Sequence, residues 1–264
     1  MGGFLPSFGT MPQIDDAIQQ AQGAIGAVVG QTYDVFRMTN TTSGSILNGP
    51  ALYTGFPLSP AKAQKKHIEN TTFDLQVFVG TCDNRDLEIG DVLVETGYEA
   101  LENNIFIFAQ RRPMGVSLFV RGEVKGFISR PNTGAGSSSQ QTPGSGVVVD
   151  DAWGGTYKGI EEYLTLTNGV YTFQSPPDAS TGATLPIGLQ PLNRVRDGTI
   201  PKVPTIQYRT HHLAFVPMLN GEQLNEQDRI NASSSDRYEI MEVYASADAG
   251  LDGGYILIVE KTAV

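Results

Sequence analysis

A stretch in the first half of this chain of 264 residues returns, altered, at its end. Residues 75 to 124 hold LQVFVGTCDNRDLEIGDVLV, the apolar run NNIFIFAQ and GVSLFVRGEV; residues 213 to 264 hold LAFVPMLNGEQLNEQDRINA, RYEIMEVYA and GYILIVEKTAV. Leu87 precedes Asp91 by four (91 − 87), and Leu224 precedes Asp228 by four (228 − 224). Asp91 lies 27 residues before Leu118 (118 − 91), and Asp228 lies 29 before Leu257 (257 − 228). A short alternating pattern used twice means that one small β shape is built twice. Neither copy gathers a nucleophile, a base or a metal-ligand set around its aspartate.

Composition agrees with a β-rich chain. Charged residues are only 17%, and 30 Gly and 15 Pro accompany many Ser, Thr and Asn. Helical proteins carry more Glu and Lys on their wet faces, whereas turn formers and β-branched residues suit sheets. A net charge of −10 argues against general binding to nucleic acid, which needs cations to neutralise phosphates. The local cluster Arg111, Arg112, Arg121, Lys125 and Arg130 reads as a solvated face. A single cysteine, Cys82, excludes an internal disulfide and fits synthesis in a reducing cytoplasm. No run of about 18 apolar residues predicts a membrane span. The start, MGGFLPSFGTMPQ, lacks the basic and apolar regions of a signal peptide.

Four segments are expected: an N-terminal helix and arm over 1–32, a first β domain over 33–130, a linker and extended insertion with a hairpin over 131–205, and a second β unit over 206–264. The fold class is mainly β, with two small barrels or sandwiches, the helix and a long Pro/Gly-rich connecting arm. Residues 12 to 29 form the helix, with Ile14, Ile18 and Ile25 on a narrow apolar stripe that suits a subunit interface as well as the chain's own domain. Residues 55 to 69, with two prolines, read as a loop. Residues 129 to 147 read as a linker. Asn168-Gly169 marks a hairpin, and the arm from Pro176 to Pro204 has no sustained pattern and is the second candidate interface.

The search for chemistry yields little. Cys82 stands beside Asp83 and Asp86, which raise a thiol pKa, and reads as a structural residue at a strand end. His211 and His212 are adjacent and point to opposite faces of a strand, and no metal-site spacing or cofactor motif is present. Asp91 and Asp228 read as loop-to-strand residues whose carboxylates accept from nearby backbone N–H groups. The rival pattern is a glycan site: Trp153, Tyr157 and Tyr163 for stacking, beside the pairs Asp150-Asp151 and Glu161-Glu162.

The second unit, with EQDRI, then RYEIMEV and a closing GYILIVEK, resembles the small β-barrel proteins of tailed-phage head–tail joining and tail complexes. The first copy departs from that pattern, with Gly90-Asp91-Val92-Leu93 in place of Gln227-Asp228-Arg229-Ile230. The resemblance implies a non-enzymatic virion protein without cofactor or metal, made in the host cytoplasm. Its partners would be copies of itself in a ring at the neck, tail or baseplate, and other virion proteins. It implies no membrane contact and no specific nucleic-acid binding; acidic walls would let DNA pass through such a ring.

Overall fold

The computed structural model describes residues 11–62, 76–96, 104–112, 116–122, 124–132, 147–150, 156–174, 182–191, 211–233, 236–245 and 251–262. The protein is mainly β; the described residues hold one α-helix, α1 (Met11–Val29), and two barrels of six strands. The first barrel consists of β1 (Gln31–Phe36), β2 (Tyr53–Lys62), β3 (Val77–Thr81), β4 (Val92–Thr96), β5 (Ile105–Arg111) and β6 (Ser117–Arg121). It closes in the order β1-β2-β3-β6-β5-β4. An insertion of β8 (Val147–Asp150), β9 (Thr156–Thr167) and β10 (Val170–Gln174) interrupts the second. Its barrel strands are β7 (Val124–Asn132), β11 (Leu185–Pro191), β12 (His211–Pro217), β13 (Arg229–Asn231), β14 (Arg237–Ala245) and β15 (Gly254–Thr262). A β7–β13 pairing closes them in the order β7-β11-β12-β15-β14-β13. Strand for strand, the two orders are the same.

The registers match as well. Val35 faces Leu93 and Leu93 faces Phe106; Ile128 faces Ile230 and Ile230 faces Tyr238. Further round, Phe108, Phe119 and Phe78 are successive partners, as are Ile240, Val259 and His212. Leu58 opposite Gln31 matches Ile187 opposite Val124. One bulge coincides as well, between Phe108 and Gln110 in β5 and between Ile240 and Glu242 in β14. A slip of one residue would turn a strand inside out, so inward and outward positions correspond one for one. Leu118 faces Gln110 and Ile258 faces Glu242, so the counterpart of Leu118 is Ile258 and not Leu257.

Three segments differ from the sequence reading. Residues 53 to 62 form β2, not a loop. Pro57 lies where β2 pairs with β1, and Pro60 where it pairs with β3; each proline falls where pairing is one-sided, the edge-like setting in which a strand accommodates proline. By strand pairing the second barrel begins at Val124, ahead of the 130 boundary, and residues 185 to 191 of the arm are its second strand. The β9–β10 hairpin interrupts the counterpart of β2: β7 pairs first with β9 at Tyr163 and then with β11 at Leu185, and Ala183 N–H donates to Leu164 O at 2.7 Å where the excursion closes.

The hairpin turns at Asn168 (φ 50°) and Gly169 (φ 76°), the left-handed pair that a two-residue turn requires. Its tip clasps the first barrel: Asn168 and Gly169 donate to Thr42 O and Thr41 O at 2.8 and 3.0 Å, and Gly44 donates to Leu166 O at 3.1 Å. On its other side, Tyr171 N–H donates to Asn220 O at 2.7 Å. The barrels also pack directly. Outward residues of the first barrel, Val77, Ile107, Leu118 and Val120, form a cluster with Leu213, Phe215, Leu251 and Ile256 of the second. Asp252 N–H donates to the bulge carbonyl of Ala109 at 3.0 Å.

The interiors differ in filling. The first holds Tyr33, Phe106, Phe108 and Phe119, all buried, whereas the counterparts of the last three are Tyr238, Ile240 and Val259. Phe78 meets Phe106 edge-on at 5.2 Å, and at the same two positions His212 meets Tyr238 edge-on at 5.1 Å. Beneath Phe119 the chain has Gly80, where a Cβ would come within 2.2 Å of the ring; beneath Val259 it has Ala214.

Helix α1 docks on the first barrel through small residues. Gly26 lies against Thr81 O and Pro57 O, Gly23 against Asp83, and buried Gln19 accepts from Asn84 N–H at 3.3 Å. Bare backbone lets the helix approach the strands closely. Its apolar residues are turned away: Ile14 is 39% exposed, Ile25 52%, Val28 83% and Val29 65%, with Ile18 half-buried.

Candidate functional site

The repeated aspartates prove to be the centres of two matching constellations. Asp91 and Asp228 are almost fully buried in the turns preceding β4 and β13. Each accepts a bidentate pair from an arginine at the end of its barrel's first strand. Arg37 donates from Nε and Nη2 to the two Asp91 oxygens at 2.8 and 2.7 Å. Arg130 does the same to Asp228 at 2.8 and 2.9 Å. The same Nη2 also donates to the carbonyl five residues before the aspartate, Asp86 O or Gln223 O, at 2.8 Å in both.

The carboxylates hold their own turns. Oδ2 accepts from Glu88 N–H at 2.8 Å in the first turn and from Asn225 N–H at 2.9 Å in the second. The aspartate carbonyls accept from Phe108 and Ile240 N–H, both at 2.8 Å, which ties each turn to the bulged strand. Gly90 (φ 95°) and Gln227 (φ 74°) precede them in the left-handed region, a strain tolerated at Gln227 because so many bonds fix the turn. Leu87 and Leu224 anchor the turns from below, both buried. The backbone-capping role read from the sequence is present, but the arginines were missed. Their signal is an arginine two residues after an inward apolar residue, Val35-Phe36-Arg37 and Ile128-Ser129-Arg130, visible only once β1 and β7 are aligned.

Electrostatics fits a fixed ion pair. Hydrogen bonding to Asp91 and Asp228 raises the two guanidinium pKa values further, against the opposing effect of burial. Arg37 also reaches Glu88 at 2.8 Å, and the Arg130 guanidinium lies 3.8 Å from the ring centre of Phe173 on the inserted hairpin. Every carboxylate oxygen is engaged by donors belonging to the fold, so the constellation is suited to holding shape.

The remaining candidate residues disperse. Arg111 donates to Asn84 O and Leu87 O at 2.5 and 2.7 Å, and Arg112 to Gln110 at 2.7 Å. With Arg130 on Asp228, three of the five cluster residues bind within the chain, while Arg111 and Lys125 are also exposed, as a solvated face requires. Glu161, read as wet, is buried and accepts from Ser129 Oγ at 2.5 Å. Tyr163 packs on Phe127 with ring centres 5.9 Å apart. Trp153, Pro176 and Pro204 lie outside the described residues. His212 points inward and His211 outward; among the described residues no group of His, Cys, Asp and Glu has metal-site geometry. Among them, too, no helix is long and apolar enough to cross a membrane.

Cys82 ends β3 as read, wholly buried, its sulfur 3.9 Å from Ser117 Oγ. Burial pushes its thiol up to about 12, with Asp83 adding to the rise and Ser117 opposing it. Native protein at pH 8 should therefore react with a thiol reagent on the order of a thousandfold more slowly than unfolded protein. Rapid labelling of the native state would contradict this burial.

No family model, no curated protein and no solved structure matches the chain.

Proposed function

We propose that the protein is a non-enzymatic structural protomer of a tailed-phage particle, one copy of an oligomeric ring at the neck, tail or baseplate. The observation that carries the oligomer is the outer face of α1. Ile14, Ile18, Ala21, Ile25 and Val28 follow one another at spacings of four, three, four and three, the repeat of a helix seam. The glycine face that grips the barrel is on the other side of the helix, so the seam points away from the chain's own core. An apolar stripe held rigidly outward is a contact surface. The twin barrels support the same reading, since their buried aspartates and half-buried arginines fix shape. The phage assignment rests on the EQDRI, RYEIMEV and GYILIVEK pattern.

Sedimentation of the full chain should give a multiple of 28.4 kDa. Replacing Ile14, Ile25 and Val28 with Asp should return it to a monomer with an unchanged circular dichroism spectrum, because those side chains are already exposed. A wild-type monomer at tens of micromolar would end the oligomer reading. Absence of the labelled protein from the neck, tail and baseplate of purified particles would end the phage reading.

A further inference from the structure

The outward face of α1 is built symmetrically about its middle residue, Ala21. Ile14 lies seven residues before it and Val28 seven after (21 − 14 and 28 − 21). Ile18 lies three before and Ile25 four after, while Ala17 lies four before and Ala24 three after. At about 100° per residue these seven and Val29 fill a sector about 140° wide, and no polar side chain falls within it. Ile18 is half-buried and the others are exposed. The positions that meet the first barrel, buried Gln19 and the bare backbone of Gly23 and Gly26, centre about 150° away. The helix can therefore be covered on both sides at once. An apolar sector wider than about 100° is what a helix normally buries.

Resting on the reading of α1 as a contact surface, we propose that its partner is the α1 of a second copy, laid antiparallel across a two-fold axis at Ala21. In a two-fold contact residue i meets j while j meets i, and a pattern that reads alike from both ends satisfies every such pair. Here Ile14 meets Val28, Ile18 meets Ile25 and Ala17 meets Ala24, each twice, while Ala21 meets its own copy. The distance between packed helices is set by the side chains at their contact, so the small residues belong in the middle, where the two cross. Charge selects the direction. The only charged residues of α1 are Asp15 and Asp16, both in its first half. A parallel pair would gather all four carboxylates at one end. The antiparallel pair parts Asp15 from its copy by 12 residues, 2 × (21 − 15), or about 18 Å along the axis, beyond the screening length of about 8–10 Å. Opposed helix dipoles add to the same preference. The face is about 24 Å long, at the small end of specific interfaces, so the share of paired chains rises with concentration. A two-fold contact closes on itself, so each chain uses α1 once and any assembly holds an even number of copies.

Single cysteines in the full chain separate the possible arrangements, because Cys82 is wholly buried with its thiol pushed up to about 12. Ile14 and Ala21 are exposed, so replacing them leaves the barrel untouched. Under mild oxidation with diamide, Ala21→Cys should form a disulfide dimer roughly tenfold faster than Ile14→Cys, or more. The two copies of position 14 would stand about 21 Å apart, and a disulfide needs Cα atoms within about 7 Å. Ile14→Cys/Val28→Cys should link as fast as Ala21→Cys. Equal self-linking at positions 14 and 21 would mean parallel helices. No linking at 21, in an assembly that still dissociates when Ile14, Ile25 and Val28 become Asp, would mean that α1 meets some other surface. Either result, or an odd number of copies, overturns the antiparallel pair and leaves α1 as the contact surface. A wild-type chain that stays monomeric overturns both.

Discussion

Replacing Asp91 or Asp228 with Ala is expected to remove about 3–5 kcal/mol of unfolding free energy in each case, the cost of leaving a buried charge without its partner. The aspartates are almost fully buried, and Arg37 and Arg130 are only 16% and 25% exposed. Loss of the carboxylate removes the bidentate partner of the guanidinium, leaving Arg37 with Glu88 and Asp86 O and Arg130 with Gln223 O, and also frees Glu88 or Asn225 N–H. Small domains have only about 5–15 kcal/mol in total, so urea unfolding should show a large fall in midpoint. Arg37→Met with Asp91→Leu should recover part of the loss, since an apolar pair removes both charges, but not the part due to the uncapped turn. A loss below about 1 kcal/mol, the range of exposed ion pairs, would show that these carboxylates remain hydrated and that the constellation does not hold the turns.

Phe119→Ala should cost about 3–5 kcal/mol by opening a cavity in the first barrel. Gly80→Ala should cost about 1–3 kcal/mol for the opposite reason, overpacking, because its new methyl meets the Phe119 ring and Leu58 Cδ1. The second barrel shows how the two are reconciled, with Ala214 where the first has Gly80 and Val259 where it has Phe119. Gly80→Ala/Phe119→Val should therefore be more stable than the sum of its single changes, with a coupling of about 1–3 kcal/mol in a double-mutant cycle. Strict additivity would mean that the two positions do not share space.

The parts legible in the sequence were those with local signals. The Leu87–Asp91 and Leu224–Asp228 spacing marked the repeat, Asn168-Gly169 marked its hairpin, and the run from Pro12 to Val29 marked the helix. Three things were hidden because they depend on distant partners. Pro57 and Pro60 argued against β2, since their tolerance depends on which side of the strand is paired. The strand β7 was assigned to the first domain because the Gly/Ser-rich stretch after it looked like the boundary; in fact the chain crosses to the second barrel before that stretch. Arg37 and Arg130 lie 54 and 98 residues from their aspartates, and nothing nearby announces either pairing. The stripe of α1 was readable, but its outward direction depends on Gly23 and Gly26, which looked like weak points of the helix.

The apolar face on the outside of the first barrel has a consequence for synthesis. All six strands of that barrel have been translated by Arg121, but β12 and β15, which cover the face, end at Pro217 and Thr262. The interval is 141 residues (262 − 121), or roughly 7–28 s at about 5–20 residues per second. For that time a finished barrel carries a bare face of Val77, Ile107 and Val120 while its cover is still being translated. The nascent chain is stickiest halfway through its making, and the last strand is what makes it safe.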